Sequence, residues 1–181
     1  RHKLKLVEDC ALALGSKVNN QHVGLFGDIG AFSFYPVKHI TTAEGGMVIT
    51  RNKSLFERMK IAKAFGIDKN HQERSLPGVY DVQRLGFNYR MSEINAAIGI
   101  EQVKKLPNFI ERRQSNFLRL KALIENIEGL EVIPQPSSKP VQSSYYCLSA
   151  RLPKRLIKHR SFIMNSLKEV GIGTSVYYPH P

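Results

Sequence analysis

The pattern of apolar and polar positions predicts short strands in the first part of the chain. Apolar runs occur at 4–7, 31–34 and 47–50, with polar or glycine-rich segments between them. The first run alternates poorly, which favours a parallel strand covered on both faces. Apolar residues then recur at helical spacing over 55–64, and the polar stretch 66–88 reads as a long loop. Strands that alternate with helices indicate an α/β protein.

The second part of the pattern predicts a helical segment and then a smaller α/β unit. Ser92 is expected to cap a helix, and Pro107 is expected to break or kink it before a second helix at 109–127. We therefore expect a large domain over 1–108 and a small domain over 109–181. The pattern predicts three further elements in the small domain: a strand at 145–152, a helix around 156–167 and a last strand at 174–177.

Composition places the chain among soluble globular proteins. The hydrophobic fraction is 42% and the charged fraction is 23%, and no apolar run approaches the roughly 20 residues of a membrane helix. Cys10 and Cys147 lie in apolar runs without metal-ligand spacing, so we expect buried thiols, no metal and a cytoplasmic location. The chain starts without Met on a strand-like run, and we expect it to be the C-terminal part of a longer protein.

The net charge of +12 does not by itself select a partner. Basic residues are scattered along the chain and are interrupted by acidic ones, without an aromatic RNA-binding signature or zinc-finger spacing. We therefore expect a solvated basic surface and no nucleic-acid partner.

Three polar groups lie at or near the ends of apolar segments, where α/β proteins bind ligands. Asp9 follows the first run, Ser33 lies in the second, and Lys38 comes just after Pro36. A lysine in an apolar setting can act as a neutral amine that attacks a carbonyl group. Pyridoxal phosphate needs such a lysine and a carboxylate for its ring nitrogen, and Ser33 with backbone amides near Gly30 would suit its phosphate. Each residue taken alone is more often structural than catalytic.

An ordered series of sequence blocks resembles one known family. The chain is similar to the DegT/DnrJ/EryC1/StrS family of pyridoxal-phosphate-dependent nucleotide-sugar aminotransferases. The resemblance runs from about residue 7 to the end and rests on Lys38 together with EDCA at 8–11, GLFGDIGAFSF at 24–34, EGGMV at 44–48, GFNYRMSEI at 86–94 and GIGT at 171–174.

The resemblance implies the fold, the cofactor and the partners. It implies a fold type I, aspartate-aminotransferase-like α/β protein, with part of the large domain and a smaller C-terminal α/β domain. The enzyme would bind pyridoxal 5'-phosphate and transfer an amino group from L-glutamate to a keto group of a nucleotide-activated sugar. It would act as a homodimer whose active site is shared between subunits, with no membrane partner.

The resemblance also implies roles for individual residues. Lys38 would hold the cofactor as a Schiff base and later move the proton. Asp9 would pair with the pyridine nitrogen, Ser33 would bind the phosphate, and Asn88 would reach the phosphate from the neighbouring subunit. Substrate contacts would come from the segment around position 90 and from the end of the chain, namely Arg90, Tyr178 and His180.

Three positions bear on alternative functions. Leu12 stands where the family usually carries Gln or His, and Ala43 stands where it commonly has Gly. Some relatives replace the lysine with histidine and dehydrate the sugar, but here position 38 is Lys and the histidine is His39. A sugar dehydratase on the same scaffold, or a non-catalytic homologue acting as a binding or regulatory module, remains the alternative.

Overall fold

The computed structural model describes residues 2–67, 75–138 and 140–177. The chain divides into two compact units, one of Arg1–Gln114 with Gln135–Tyr146 and one of Ser115–Pro134 with Cys147–Pro181. Among the described residues no helix combines the length and the apolar character that a bilayer crossing requires.

The described elements are short strands and three α-helices. In chain order they are β1 (Val7–Asp9), β2 (Lys17–Val18), β3 (Gln21–His22), β4 (Ile29–Ser33), β5 (Gly46–Ile49), α1 (Lys53–Ala62), α2 (Glu93–Ile124), β6 (Glu131–Val132), β7 (Ser137–Ser138), β8 (Val141–Gln142), β9 (Ala150–Arg151), a 3-10 helix (Lys154–His159) and α3 (Arg160–Glu169).

The central sheet of the first unit has the strand order β1-β4-β5. β1 and β4 are parallel, with Asp9 in register with Ala31, whereas β4 and β5 are antiparallel. Burial alternates along β4, where Phe32 is buried and Ala31 and Ser33 are only half-buried. Because neighbouring residues in register lie on the same face of a sheet, one face carries Asp9, Ala31 and Ser33, and the other faces the core.

The core of this unit lies beneath the second face of the sheet. Its buried cluster contains Cys10, Phe32, Phe34 and Ile40. β4 and β5 confirm two of the sequence-predicted strands. The predicted first strand at 4–7 overlaps β1 only at Val7, and its expected burial on both faces was wrong, because β1 is an edge strand of this sheet and Leu6 and Val7 are exposed. Burial raises the pKa of the Cys10 thiol, and the nearby carboxylates act in the same direction, so this thiol stays protonated at neutral pH.

A second, smaller sheet of the first unit was missed by the sequence pattern. Its strand order is β3-β2-β8-β7, and β2 pairs with both β3 and β8. Asn19 and Asn20 form the turn between β2 and β3 with φ values of 50° and 64°. Asparagine tolerates this left-handed conformation better than most residues, which suits the tight two-residue hairpin.

Pro107 does not divide the long helix, and the prediction of two separate helices was wrong. α2 runs without interruption from Glu93 to Ile124 with Pro107 inside it. Proline removes one backbone hydrogen bond from a helix, but Leu106 and Phe109 on either side pack against the buried core cluster. This packing offsets the lost bond. At the other end, the Ser92 Oγ caps the helix by accepting from the Asn95 amide at 3.2 Å.

The second unit contains a two-stranded sheet and a helix. β6 and β9 pair antiparallel, and Phe117 and Val132 are buried. The predicted strand at 145–152 is reduced to β9, and the predicted helix forms as the 3-10 helix followed by α3. The predicted strand at 174–177 was wrong, because these residues pair with no strand of the described chain.

Candidate active site

Lys38 lies in a loop, 35–41, that the backbone closes at its base. The Thr42 amide donates to the Phe34 carbonyl oxygen at 3.0 Å, and the Phe34 amide donates to the Gly45 carbonyl oxygen at 2.9 Å. Phe34 therefore holds both the end of the loop and the segment that leads into β5. The loop is fixed by backbone bonds that do not depend on the side chains at its tip.

Burial changes sharply along this loop. The side chain of Val37 is exposed and that of Lys38 is half-buried, whereas His39, Ile40 and Thr42 are 4%, 2% and 0% exposed. The residues directly after Lys38 are thus part of the packed interior. An amine carried by such a loop is presented on a rigid support.

The Lys38 amine lies over an aromatic ring. Its Nζ is 5.5 Å from the centroid of the Tyr146 ring, within the range of a cation–π interaction. The face of the Tyr146 ring is therefore a contact surface for the end of the Lys38 side chain.

The His39 side chain is buried in the core, so it does not act as a second reactive group beside Lys38. Its Nε2 lies 3.0 Å from the Ser144 carbonyl oxygen, so this nitrogen carries the hydrogen and donates. Its Nδ1 is buried and has no partner among the described residues. Burial, then the positive charges of Arg113 and Lys38, lower the pKa of His39 from 6.5 to about 4, against the opposing effect of the Ser144 bond. His39 is therefore neutral at pH 7.

Asp9 and Ser33 lie at the same end of the central sheet. Asp9 is the last residue of β1 and Ser33 is the last residue of β4, and the two strands are parallel. Both residues lie on the face of the sheet opposite to the core. The Asp9 Oδ1 accepts from the Ala11 amide at 3.0 Å, and the Ser33 Oγ accepts from the Tyr35 amide at 3.3 Å. Since Asp9 is exposed and Ser33 half-buried, both keep lone pairs or a hydroxyl hydrogen for a ligand. The structure thus brings these two predicted residues to one edge, and the Lys38 loop follows directly.

Glu8, which sequence reasoning missed, organises the loop before β4. Its carboxylate accepts from the amides of Gly24, Phe26 and Gly27 at 2.7, 2.7 and 2.6 Å. Burial acts to raise the pKa of Glu8, but these three donors outweigh it and hold the pKa below 4.5. Nothing local in the sequence reveals this contact, because the donors lie sixteen or more positions away.

Asn88 and Arg90 contact each other on a segment beside α1. The Arg90 Nε donates to the Asn88 Oδ1 at 3.3 Å, and Asn88 forms a β-bridge with Ala64. The Arg90 guanidinium also lies 4.9 Å from the centroid of the Phe65 ring. Both Asn88 and Arg90 are exposed, so their polar groups remain accessible to a ligand or a second chain.

Of the four other positions singled out in the sequence, two lie outside the described residues and two are described. Tyr178 and His180 lie outside the described residues. The Leu12 side chain is 37% exposed and offers no hydrogen bond. Ala43 has φ of 66°, a left-handed conformation that glycine adopts without strain.

Comparison with known proteins decides the family. The model of the DegT/DnrJ/EryC1/StrS aminotransferase family matches residues 1–181. The chain belongs to this family. Its members are pyridoxal-phosphate enzymes, and the fold is that of their α/β structures, of which this chain forms part.

Individual relatives are similar over nearly the whole chain. GDP-perosamine synthase of Escherichia coli O157:H7 is 38% identical over 177 residues, 97% of this chain and 45% of the relative. UDP-4-amino-4,6-dideoxy-N-acetyl-beta-L-altrosamine transaminase of Campylobacter jejuni subsp. jejuni serotype O:23/36 is 33% identical over 98% of this chain and 46% of the relative. The solved structure of PseC from Helicobacter pylori, an aminotransferase involved in the biosynthesis of pseudoaminic acid, is 31% identical with a TM-score of 0.87, covering 98% of this chain and 46% of that one. The chain spans about half the length of the curated relatives it matches.

Proposed function

We propose that the protein is a pyridoxal-phosphate-dependent aminotransferase that moves an amino group from L-glutamate to a keto group of a nucleotide-activated sugar. The observation that carries this proposal is the half-buried Lys38 on its closed loop, next to the strand ends of Asp9 and Ser33. Relatives named as GDP- and UDP-sugar enzymes support the substrate class.

The donor set on this face fits the cofactor. The Asp9 carboxylate and the Ser33 hydroxyl lie at one edge of the sheet, and the loop that carries the Lys38 amine follows β4 along the chain. These are the groups that the cofactor's ring nitrogen, phosphate and carbonyl require. When bound, pyridoxal phosphate supplies an electron sink for the carbon that loses its proton.

Each residue then has a definite task in holding the cofactor or moving a proton. The Asp9 carboxylate holds the positively charged ring nitrogen, and it can do so because only one of its oxygens is engaged by Ala11. The Ser33 hydroxyl can donate its hydrogen to the phosphate, since its oxygen accepts from the Tyr35 amide. Lys38 binds the cofactor through Nζ, and after release its amine accepts and returns the proton.

The remaining site residues would act on substrate or across a dimer. We propose a cytoplasmic homodimer in which Asn88, exposed beside α1, reaches the cofactor phosphate of the other subunit. Arg90, Tyr178 and His180 would contact the sugar nucleotide. The net charge of +12 is compatible with a diphosphate substrate and draws it towards the protein.

The dehydratase alternative is disfavoured by two side chains. Position 38 is a lysine, and the imidazole of His39 is buried and bonded to Ser144. His39 therefore does not take the position of the reactive group.

The proposal is tested first at the cofactor lysine. The longest available form of the protein is incubated with pyridoxal phosphate, reduced with borohydride and mapped by mass spectrometry. We expect one phosphopyridoxyl group on Lys38, absent in Lys38→Ala and retained in the control Lys53→Ala, because Lys53 is an exposed residue of α1. Absence of an adduct, or labelling scattered over surface lysines, would overturn the proposal in favour of a non-catalytic homologue.

A second measurement tests the reaction. The protein is incubated with L-glutamate and a panel of GDP- and UDP-linked keto sugars, and both products are measured. An aminotransferase forms amino sugar and 2-oxoglutarate in equal amounts. Loss of water from the sugar without 2-oxoglutarate would instead identify a dehydratase.

A further inference from the structure

Tyr146 contacts two consecutive residues of the lysine loop with one ring. Its centroid lies 5.5 Å from the Lys38 Nζ and 5.5 Å from the centroid of the His39 imidazole, with 50° between the two ring planes. The Tyr146 ring thus contacts the buried imidazole of His39, and it also lies close to the Lys38 amine.

The segment that carries this ring is fastened from several sides. The Arg113 Nη1 of α2 donates to the Tyr146 carbonyl oxygen at 2.9 Å. The amide of Ser144, a residue 1% exposed, donates to the Ser16 Oγ at 3.1 Å, and the Ser144 carbonyl accepts from His39. The ring therefore has a fixed position relative to the loop.

Resting on the proposed function, we propose that Tyr146 is a positioning residue for Lys38. Its ring holds the Lys38 amine in place while the amine carries the proton that it has accepted, and His39 and Arg113 hold the ring. A ring face within about 6 Å attracts a cation enough to favour the docked over the undocked position of the protonated amine by about 2- to 5-fold at a partly exposed site.

The neutrality of His39 is part of this arrangement. The groups that face it are the two cations Lys38 and Arg113, the Ser144 carbonyl and the Tyr146 ring. A positive charge on His39 would repel the Lys38 ammonium and leave the buried Nδ1–H without an acceptor among the described residues. A neutral His39 donates to the Ser144 carbonyl oxygen and so holds the segment that carries Tyr146. Without a positive charge, it does not compete with Lys38 for the face of the Tyr146 ring.

The test measures the reactivity of the Lys38 amine in the full-length protein before cofactor is added. Trace acetylation with acetic anhydride at fixed pH gives the labelling of Lys38 relative to the exposed Lys53. We expect Tyr146→Leu to raise this ratio by about 2- to 5-fold, because the amine is no longer docked over the ring and is more accessible to the reagent. Tyr146→Phe keeps the ring and should leave the ratio unchanged. An unchanged ratio in Tyr146→Leu, or an equal rise in Tyr146→Phe, would overturn the proposal.

A second pair of variants tests whether His39 holds the Tyr146 ring in place. These variants also test the proposal if Tyr146→Leu does not fold. His39→Gln keeps an N–H that can donate to the Ser144 carbonyl, whereas His39→Met has similar bulk without a donor. We expect His39→Met, but not His39→Gln, to raise the labelling ratio of Lys38. If both variants behave as wild type, His39 has no such role and the proposal is wrong.

The borohydride adduct of the wild-type protein separates this inference from the proposed function. If no adduct forms on Lys38, the aminotransferase proposal fails, whatever the labelling ratios are. If the adduct forms and the ratios do not respond to Tyr146→Leu, only the role of Tyr146 fails.

Discussion

The backbone amide of Thr42 donates to the carbonyl oxygen of Phe34 at 3.0 Å, and this bond joins the two ends of the loop that carries Lys38. Phe34 directly follows β4 and belongs to the buried core cluster, and Thr42 is completely buried. The position of the loop backbone therefore depends on packing beneath the sheet. Several measurable consequences follow from this arrangement and from the carboxylates beside it.

Thr42→Val should lower the free energy of unfolding by about 1 kcal/mol. The Thr42 Oγ1 donates to the Glu44 carbonyl oxygen at 2.9 Å, and valine keeps the shape but removes the donor. The loss is modest because the side-chain Nδ2 of Asn95 also donates to that carbonyl oxygen, at 3.1 Å. Urea denaturation measures the effect, with the exposed Thr174→Val as the matched control. An equal loss in both variants would contradict the assignment.

Ala43→Gly should raise the free energy of unfolding by about 0.5–1 kcal/mol. Ala43 has φ of 66°, where a Cβ is strained and glycine is not. The control is Ala97→Gly at an exposed position of α2, which should destabilise by about 0.5–1 kcal/mol. Thermal unfolding of both variants gives the comparison. Destabilisation by Ala43→Gly would show that the side chain makes a contact that outweighs the strain.

His39 should make the protein less stable as the pH falls from about 6.5 towards 4. The unfolded chain takes up a proton on this imidazole near 6.5, whereas burial and the charges of Arg113 and Lys38 delay protonation in the folded protein until about 4. The stability contributed by the neutral form is fully present above 6.5, and at most about 3 kcal/mol is lost at the acid end. Denaturation curves of wild type and His39→Gln over this range test it, with the exposed His159→Gln as control. Parallel pH profiles for wild type and His39→Gln would refute the prediction.

Glu8→Gln should destabilise the protein by about 2 kcal/mol at neutral pH. A carboxylate accepts from Gly24, Phe26 and Gly27 together, whereas an amide presents one oxygen in place of two. The folded pKa of Glu8 lies below 4.5, so the contribution is present above that pH and is lost as the pH falls through the folded pKa. The difference from wild type should therefore shrink in acid, and the exposed Glu57→Gln should show no such difference. A constant difference at all pH values would exclude the charge as its cause.

Asp9→Asn should separate the two roles of this residue. Asparagine keeps the Oδ1 that accepts from Ala11, so the thermal midpoint should change little. It loses the charge that we propose holds the ring nitrogen, and turnover with L-glutamate should fall by about tenfold or more. Asp81→Asn is the matched control, because the Asp81 Oδ1 also accepts from a neighbouring amide, at 2.8 Å, away from the sheet. Unchanged turnover in Asp9→Asn would remove Asp9 from the cofactor site.

The central strands were predictable because their signal is local. β4 and β5 are apolar runs bounded by glycine, and the register between parallel strands places Asp9 and Ser33 at one edge. The β2–β3 hairpin was missed because each strand has only two residues, too few to show alternation. Pro107 misled the prediction because its local cost is offset by packing of Leu106 and Phe109, which no local pattern records.

The contacts around Lys38 could not be predicted for a different reason. The bond between His39 and Ser144 joins residues 105 positions apart, and Arg113 reaches Tyr146 from the long helix. The sequence placed a histidine beside Lys38 without indicating which way its ring points. That direction depends on the packing of the folded unit, and it decides whether His39 is a support or a reactive group.

The division of the lysine loop into an exposed tip and a buried base also separates two kinds of evolutionary constraint. Tyr35 and Val37 are 48% and 60% exposed, so variation there is nearly free of any folding cost. Ile40 and Thr42 are 2% and 0% exposed, so variation there is limited by the packing around them. Chemistry at position 38 can therefore be exchanged by a single substitution on an unchanged support, which makes this loop a natural starting point for directed evolution of new reactions.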